Sequence, residues 1–484
     1  MVAGMSMVHS NEARLIKPSM SMMGFMQNLR GATIRDRRLS IDNEHSFLKY
    51  LPQIAANVAD FGDESAPKRV KALAAWIITE AAQQLGVKLA SPQEAYVAIA
   101  KGDIDRAMSF PAINIRGNTL DTARAVFQAA NDNNVGALIF EIARSEMGYT
   151  RQDPREYAAM IQAAAMLQGF QGPLFLQGDH IQLKAAAVNK GGADAEKEIN
   201  AHRDIIRALI QYGFGSIDLD MSPFEERTDD SLTFDQQQAD NARLTAEKIR
   251  DVRQLEQELG IPWTVLLGGE TGEVGKMNTR PEDIDAYARG IIAEMKRLGI
   301  PLDQGIRKIA VNDGTSHGGT PLPGGGVAKV DIEFPVLKMA TEKGREFGWA
   351  GSVQHGASTL PDDAFVLFPQ NRAVEVHLAT GFQNILLDEG AYGVKGMQAQ
   401  IERFLVDQFI KEWKEGKTFA QFAYSTRKNA IGPFKLPLWL MPDETRAAVA
   451  EKLYRQFSFL FEQLGVVDTK DLIRKYTTIH DFSL

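Results

Sequence analysis

From Pro111 onward, short apolar runs alternate with longer stretches whose apolar positions recur every three or four residues. The short runs cover Ala112–Ile115, Ala137–Ile142, Pro173–Gln177, Ser216–Leu219, Trp263–Leu267, Lys308–Val311, Trp349–Val353 and Ala373–Leu378. Their length and turn-rich flanks predict β-strands. Between them, Thr119–Asn131, Pro154–Gln168, Asp194–Tyr212, Ala239–Leu259, Pro281–Leu298 and Phe334–Phe347 carry helical spacing. Eight such alternations predict an α/β chain folded as a (β/α)8 TIM barrel, a closed parallel sheet ringed by helices. The structural alternative is an open doubly wound sheet. That would place a glycine-rich turn after its first strand and a ribose-binding acid downstream, and the first β/α junction has no such turn.

The flanks follow a different rhythm. Residues 1–105 read as a helical N-terminal extension, with helical spacing over Leu51–Phe61, Lys68–Leu85 and Pro92–Ala100. Residues 106–390 hold the barrel. Residues 391–484 read as a helical C-terminal extension, with Met397–Glu415 and Thr445–Leu464 as helices broken by Pro433 and Pro442. This tail covers the barrel base or forms a contact between copies, and the pattern does not choose between them.

Composition narrows the chemistry. The chain has 484 residues, 44% of them apolar, enough for a large core. A net charge of −8 and the lack of a dense basic tract argue against nucleic acid as a partner. No run approaches the roughly 18 apolar residues needed to span a bilayer, so no membrane partner is expected. The Met20–Met26 cluster, in an acid-poor segment, reads as an arm for docking or as a targeting peptide without a clean apolar region. There are no cysteines, which removes disulfides, thiol catalysis and thiolate ligands together and fits a cytoplasmic enzyme. Any metal must then be held by His, Asp or Glu.

Such residues sit where the strands end. Leu174-Phe-Leu-Gln-Gly is followed by Asp179-His180, Lys308-Ile-Ala-Val leads to His317-Gly318, and Gly351-Ser-Val-Gln leads to His355-Gly356. The C-terminal rim of a parallel barrel gathers side chains from distant strands. Neutral imidazoles converging there suit a divalent cation, and a neighbouring carboxylate suits proton transfer. Glycine directly after a histidine lets backbone N–H groups approach an anion. Asp220 and Glu270 end two further strands and can ligate a metal or orient its histidines, and Glu273 follows closely. The plainer alternatives are turn histidines bonded to backbone, a helix-capping Asp220 and a surface Glu273.

Taken in order, Pro111-Ala-Ile-Asn114, Asp179-His180, Gly213-Phe-Gly-Ser-Ile-Asp-Leu-Asp220-Met-Ser222, Glu270-Thr-Gly272, Thr279-Arg-Pro-Glu-Asp283, Gly314-Thr-Ser-His317-Gly318 and His355-Gly-Ala-Ser358 form a specific set. The chain resembles the class II, metal-dependent fructose- and tagatose-bisphosphate aldolases. The resemblance implies that His180, His317 and His355 hold a catalytic Zn²⁺, with Co²⁺ or Mn²⁺ as substitutes, and that Asp220 and Glu270 surround an alternative metal position. It implies that Asp179 handles the proton of the hydroxyl at the scissile carbon. Asn114, Ser145, Gly318, Gly356, Ser358, His377 and Thr380 are then expected around the substrate and its phosphate. It further implies a homo-oligomer of carbohydrate metabolism, of the glycolytic kind, acting on a sugar or sugar phosphate.

The departures are equally specific. The family carries a mobile acid after its Glu-x-Gly segment, whereas Gly275-Lys-Met-Asn-Thr279 stands here, leaving Glu273 or Glu270 to exchange the carbon-bound proton. The family's Lys-x-Asn-x-Asp-Thr segment reads Glu375-Val-His377-Leu-Ala379-Thr380. The expected reaction is reversible C3–C4 cleavage of a ketose (bis)phosphate through a metal-stabilised enediolate. Two rivals stay open: a metal-dependent sugar or sugar-phosphate 4-epimerase using the same retro-aldol step, and a non-catalytic partner subunit of a true aldolase.

Overall fold

The computed structural model describes residues 18–227, 229, 231–272, 277–314 and 332–484. Glu273, His317 and Gly318 lie outside the described residues. The described residues begin with a helix, Met22–Asn28, and a hairpin of β1 (Ala32–Arg35) and β2 (Arg38–Ile41). A further strand, β3 (Val87–Ala90), precedes the barrel. The barrel strands are β4 (Phe110–Asn114), β5 (Ile139–Ala143), β6 (Gly172–Gln182), β7 (Ser216–Asp220), β8 (Leu266–Thr271), β9 (Lys308–Val311), β10 (Ser352–Gln354) and β11 (Glu375–Leu378). Each pairs in parallel with the next, and β11 returns to β4, so the sheet closes into the eight-stranded barrel that the alternation predicts.

The intervening helices carry the terminal signals that short-range chemistry requires. Asp153 accepts from the Glu156 N–H ahead of the helix Pro154–Leu167, and Pro154 sits where a missing N–H costs nothing. Thr233 and Gln236 form a reciprocal cap on the helix Phe234–Leu259, which ends at Gly260 in the left-handed conformation. Apolar faces of these helices pack on strands that are buried throughout except at His180 and Gln182 at the end of β6, as expected for a parallel sheet covered on its outer side.

The N-terminal segment is not purely helical. Besides the hairpin, β3 pairs with the lower half of β6, Val87 opposite Gly172 and Ala90 opposite Phe175. The upper half of β6 pairs with β7 from Gln177 onward. Thus β3 fills the gap that barrel shear opens between β6 and β7. Ser91 Oγ donates to the Gly215 carbonyl at 2.9 Å, and a Cβ at Gly215 would fall 2.2 Å from the Ala90 oxygen. The first expected helix is displaced: it covers Glu44–Ala56, beginning at an Asn43 cap. The methionine cluster forms the helix Met22–Asn28, which buries Phe25 and leaves Met20 and Met23 exposed.

The C-terminal tail closes the base. The Leu464 carbonyl accepts from Ser109 N–H just before β4, and Thr469 Oγ1 accepts from Gly136 and Ala137 just before β5. Among the described residues no helix is long and apolar enough to cross a membrane.

Candidate active site

The strand β6 runs further than its apolar core predicts. It extends through Asp179 and His180 to Gln182, and its pairing with β7 shifts between Gly178 and Ile181. His180 adopts φ +42°, a left-handed backbone rare for a residue with a side chain. A bulge of this kind breaks the strict in–out alternation of a strand and re-aims side chains at a barrel rim. It lets Asp179 and His180, adjacent in sequence, both face the cluster described next.

His180 Nδ1 lies 3.1 Å from Asp220 Oδ2 on β7 and 3.3 Å from Glu270 Oε2 on β8. The His180 and His355 rings are 4.1 Å apart between centroids. His355 Nε2 approaches Asp179 Oδ1 at 4.0 Å, and its Nδ1 approaches Glu270 Oε1 at 3.9 Å. Strands far apart in sequence therefore meet at one point. Asp220 is itself oriented by Gln182 and by Ser222, whose N–H and hydroxyl both donate to Oδ1.

Charge in this cluster favours a cation. Burial acts to raise the Asp179 carboxyl, but the His180, His377 and His355 rings outweigh it and hold the group well below the usual carboxylate range. Burial acts to lower His180, yet Asp179 and Glu270 more than offset it and raise the imidazole well above its ordinary value. Burial and then the Asp220 charge push Glu270 up to about 8. Three groupings have ligand atoms within 4.8 Å of one another, close enough to share an ion: Asp179, His180 and His355; His180, Asp220 and Glu270; and Glu141, Asp179, Asp218 and His377. Imidazole nitrogen with carboxylate oxygen is a donor set that fits Zn²⁺ and related divalent ions.

Beside this rim cluster lies a polar layer that the strand pattern did not single out. The interior of such a barrel is ordinarily filled by branched apolar side chains. Here Lys308, wholly buried, donates to Gln177 Oε1 at 2.7 Å and to Glu375 Oε1 at 2.6 Å, and lies 2.9 Å from Asp218 Oδ1. Burial acts to lower the Lys308 ammonium, but Asp218 and Glu375 outweigh it and keep it charged. Tyr96, from the N-terminal segment, donates to Glu375 Oε2. The visible signal was Gln177, Asp218, Lys308 and Glu375 standing inside otherwise apolar runs.

His377, expected at the substrate, belongs to this layer. Its Nδ1 lies 3.1 Å from Asp179 Oδ1 and 3.2 Å from Glu141 Oε1, and its Nε2 lies 2.7 Å from Glu375 Oε1. Both ring nitrogens are thus already engaged by carboxylates. Asn114 donates to Asp179 Oδ2 at 3.1 Å and to Glu146 Oε2 at 2.8 Å, which fixes the second oxygen of Asp179. Ser145 is exposed on the helix Arg144–Tyr149, while its neighbour Glu146 is buried and accepts from Arg116 Nε at 2.6 Å. Gly356 takes a left-handed conformation, and Ser358 Oγ accepts from Ala379 N–H at 2.5 Å, tying the loop after β10 to the end of β11. Thr380 Oγ1 accepts from Arg116 Nη1 at 3.3 Å.

A family model described as class II fructose-bisphosphate aldolase matches residues 100–418, well over half of the chain. Among solved structures, the chain is similar to a fructose-bisphosphate aldolase from Campylobacter jejuni, with 17% identity, 79% of this chain and 97% of that one covered, and a TM-score of 0.46. It is also similar to a probable tagatose 6 phosphate kinase from Sinorhizobium meliloti 1021, with 17% identity, coverage of 76% and 93%, and a TM-score of 0.49. A third is an aldolase from Escherichia coli K12, with 15% identity, coverage of 77% and 97%, and a TM-score of 0.42. No curated protein matches the chain.

Proposed function

Because the chain belongs to the class II fructose-bisphosphate aldolase family, we propose that it is a divalent-metal-dependent aldehyde-lyase that cleaves a phosphorylated ketose between C3 and C4 and catalyses the reverse condensation. The observation that carries this reading is the convergence of Asp179, His180 and His355 on one point at the barrel rim. His180 and His355 are assigned as metal-holding residues, with His317 as the third by family correspondence, and Zn²⁺ is the ion that this donor set suits best. When bound, the ion supplies Lewis-acid stabilisation of the negative charge left on the ketose fragment as the bond breaks.

The other steps fall to the side chains. Asp179 takes the proton from the C4 hydroxyl in cleavage and returns it in condensation, while Glu270 or Glu273 gives C3 of the departing ketose fragment its proton. Its two oxygens are positioned separately, Oδ1 by His377 and Oδ2 by Asn114. This leaves one productive orientation, which is the main requirement for a proton-transfer group. Asp220 and Glu270, which touch His180 from two strands, hold that ring in place and favour its position beside a cation.

The deciding experiment couples metal analysis to product analysis. Purified protein is expected to carry about one divalent ion per chain in this reading, to lose activity on exhaustive chelation and to recover it with added zinc. A panel of ketose mono- and bisphosphates and free ketoses is expected to release free triose. Full turnover after chelation excludes the scheme. A rearranged ketose with no free triose would assign the same site to a 4-epimerase. Metal-free, inert protein would leave the partner-subunit reading.

A further inference from the structure

The family match begins at residue 100, yet a side chain from before it reaches the polar layer inside the barrel. Tyr96 lies on the helix Gln93–Lys101, which follows β3 and ends at Gly102 in the left-handed conformation. The helix is held at both chain ends: Ser91 Oγ donates to the Gly215 carbonyl, and Thr478 N–H donates to Glu94 Oε2 at 2.6 Å. Tyr96 is wholly buried, with its ring centre 5.2 Å from that of Phe110 at the start of β4. Its hydroxyl donates to Glu375 Oε2. Burial and then the Glu375 charge push the phenol well up, so it stays protonated and donating.

Glu375 divides its two oxygens between different partners. Oε1 accepts from Lys308 Nζ at 2.6 Å and from Gln177 Nε2 at 2.7 Å, and lies 2.7 Å from His377 Nε2. Tyr96 is the donor that faces Oε2. The terminal torsion of a glutamate is soft, so a partner on each oxygen is what fixes it. The orientation of Glu375 in turn sets that of the His377 ring, and there a small angle matters. His377 Nδ1 stands 3.1 Å from Asp179 Oδ1 and 3.2 Å from Glu141 Oε1. A slight turn of the ring therefore decides which of two carboxylates its N–H serves. Without the phenol, Glu375 Oε2 is a buried oxygen that has lost its donor, a cost relieved by turning the carboxylate. His377 turns with it, and Asp179 Oδ1 loses its fixed partner to Glu141.

We propose that Tyr96 is a positioning residue for the proton transfer at Asp179, acting through Glu375 and His377. The N-terminal segment then does more than complete the sheet: it sets the orientation of a catalytic carboxylate through the inside of the barrel. This rests on the lyase reading, in which Asp179 moves the proton of the C4 hydroxyl.

The test uses metal-loaded full-length protein. Tyr96→Phe keeps the ring against Phe110 and removes the hydroxyl alone. Misalignment of a proton-transfer group is expected to lower kcat for ketose cleavage about tenfold, with KM within about twofold and metal content unchanged. Exchange of solvent deuterium into the isolated ketose product needs the metal and Glu270 or Glu273 but not Asp179, so its rate is expected to stay the same. In a His377→Gln background, Tyr96→Phe is expected to cause no further loss, because both changes act along one path. An unchanged kcat, an equal loss in cleavage and exchange, or full additivity with His377→Gln overturns the proposal. A second readout needs no turnover. In protein labelled with ¹⁵N-histidine, the His377 ring resonances, assigned by their loss in His377→Gln, are expected to shift in Tyr96→Phe. A fluorotyrosine in place of Tyr96 keeps the fold and makes the phenol a stronger donor, and is expected to shift them in the opposite sense. Unmoved resonances in the fluorotyrosine protein overturn the coupling. If the wild type neither cleaves ketoses nor exchanges deuterium while these resonances do move, the lyase reading fails and the coupling from Tyr96 to Asp179 stands.

Discussion

His202 offers the most direct test of how the β6 bulge is held. It sits on the helix Gly192–Gln211, is fully buried, and its Nε2 lies 3.0 Å from the carbonyl oxygen of Ile181, the residue after His180. A carbonyl only accepts, so Nε2 carries a proton, and the buried Nδ1 has no hydrogen-bond partner for a second one. Burial, and then the charges of Lys248 and Arg144, lower its pKa to about 4, with the Ile181 hydrogen bond and Glu198 acting the other way. In the unfolded chain a histidine titrates near ~6.5, so between these values the unfolded state binds the extra proton. Stability from this group is therefore complete above ~6.5 and is lost as pH falls towards the folded value. From about pH 7.5 to about pH 4.5 the loss is about 2.5 kcal/mol, taking about 1.36 kcal/mol per unit. His202→Gln keeps an amide donor for Ile181 and removes the titration. Urea unfolding of both proteins across that range is expected to show the wild type losing about 2.5 kcal/mol more than the variant. Parallel pH profiles would refute the claim that this ring is buried neutral and that it clamps the bulge.

Other expectations follow from the interior layer and the sheet seam. Lys308→Met leaves Asp218 and Glu375 buried without their cation, and about 3–5 kcal/mol of unfolding free energy is expected to be lost. Adding Glu375→Gln is expected to recover part of it, because contacting residues are not additive, and this is read as a coupling energy in a double-mutant cycle. Gly215→Ala drives a Cβ against backbone atoms of Ala90 and Ser91, and the urea midpoint is expected to fall by the equivalent of about 1–3 kcal/mol. Asp179→Asn is expected to retain bound metal and fold while turnover drops by roughly 10²–10⁴-fold, measured as kcat against metal content.

Much of the architecture was legible because it depends on short-range pattern. The apolar runs that become β4 to β11 and the helices between them are set by side-chain burial over a few residues, and the observed elements fall within a few positions of the expected ones. Asp179, His180 and His355 were visible as candidates because acid or imidazole follows an apolar run at a strand end. What their neighbours do was not visible. The residues of the interior layer occur as isolated polar positions in four strands, and a linear chain cannot say that they face one another across a closed barrel. The resemblance implies a substrate contact for His377, and the linear chain does not show that its ring lies between Asp179 and Glu375.

The sequence by itself determined the class of fold, the absence of thiol chemistry and which acids and imidazoles stand at the strand ends, because composition and periodicity act locally. Only the tertiary structure decided that His180 sits on a bulge with positive φ, that Lys308 neutralises acids from β7 and β11, and that β3 completes the sheet beneath the rim. Those arrangements arise from barrel closure and from the packing of both chain ends around it, and contacts between residues hundreds of positions apart leave no periodic trace in the chain.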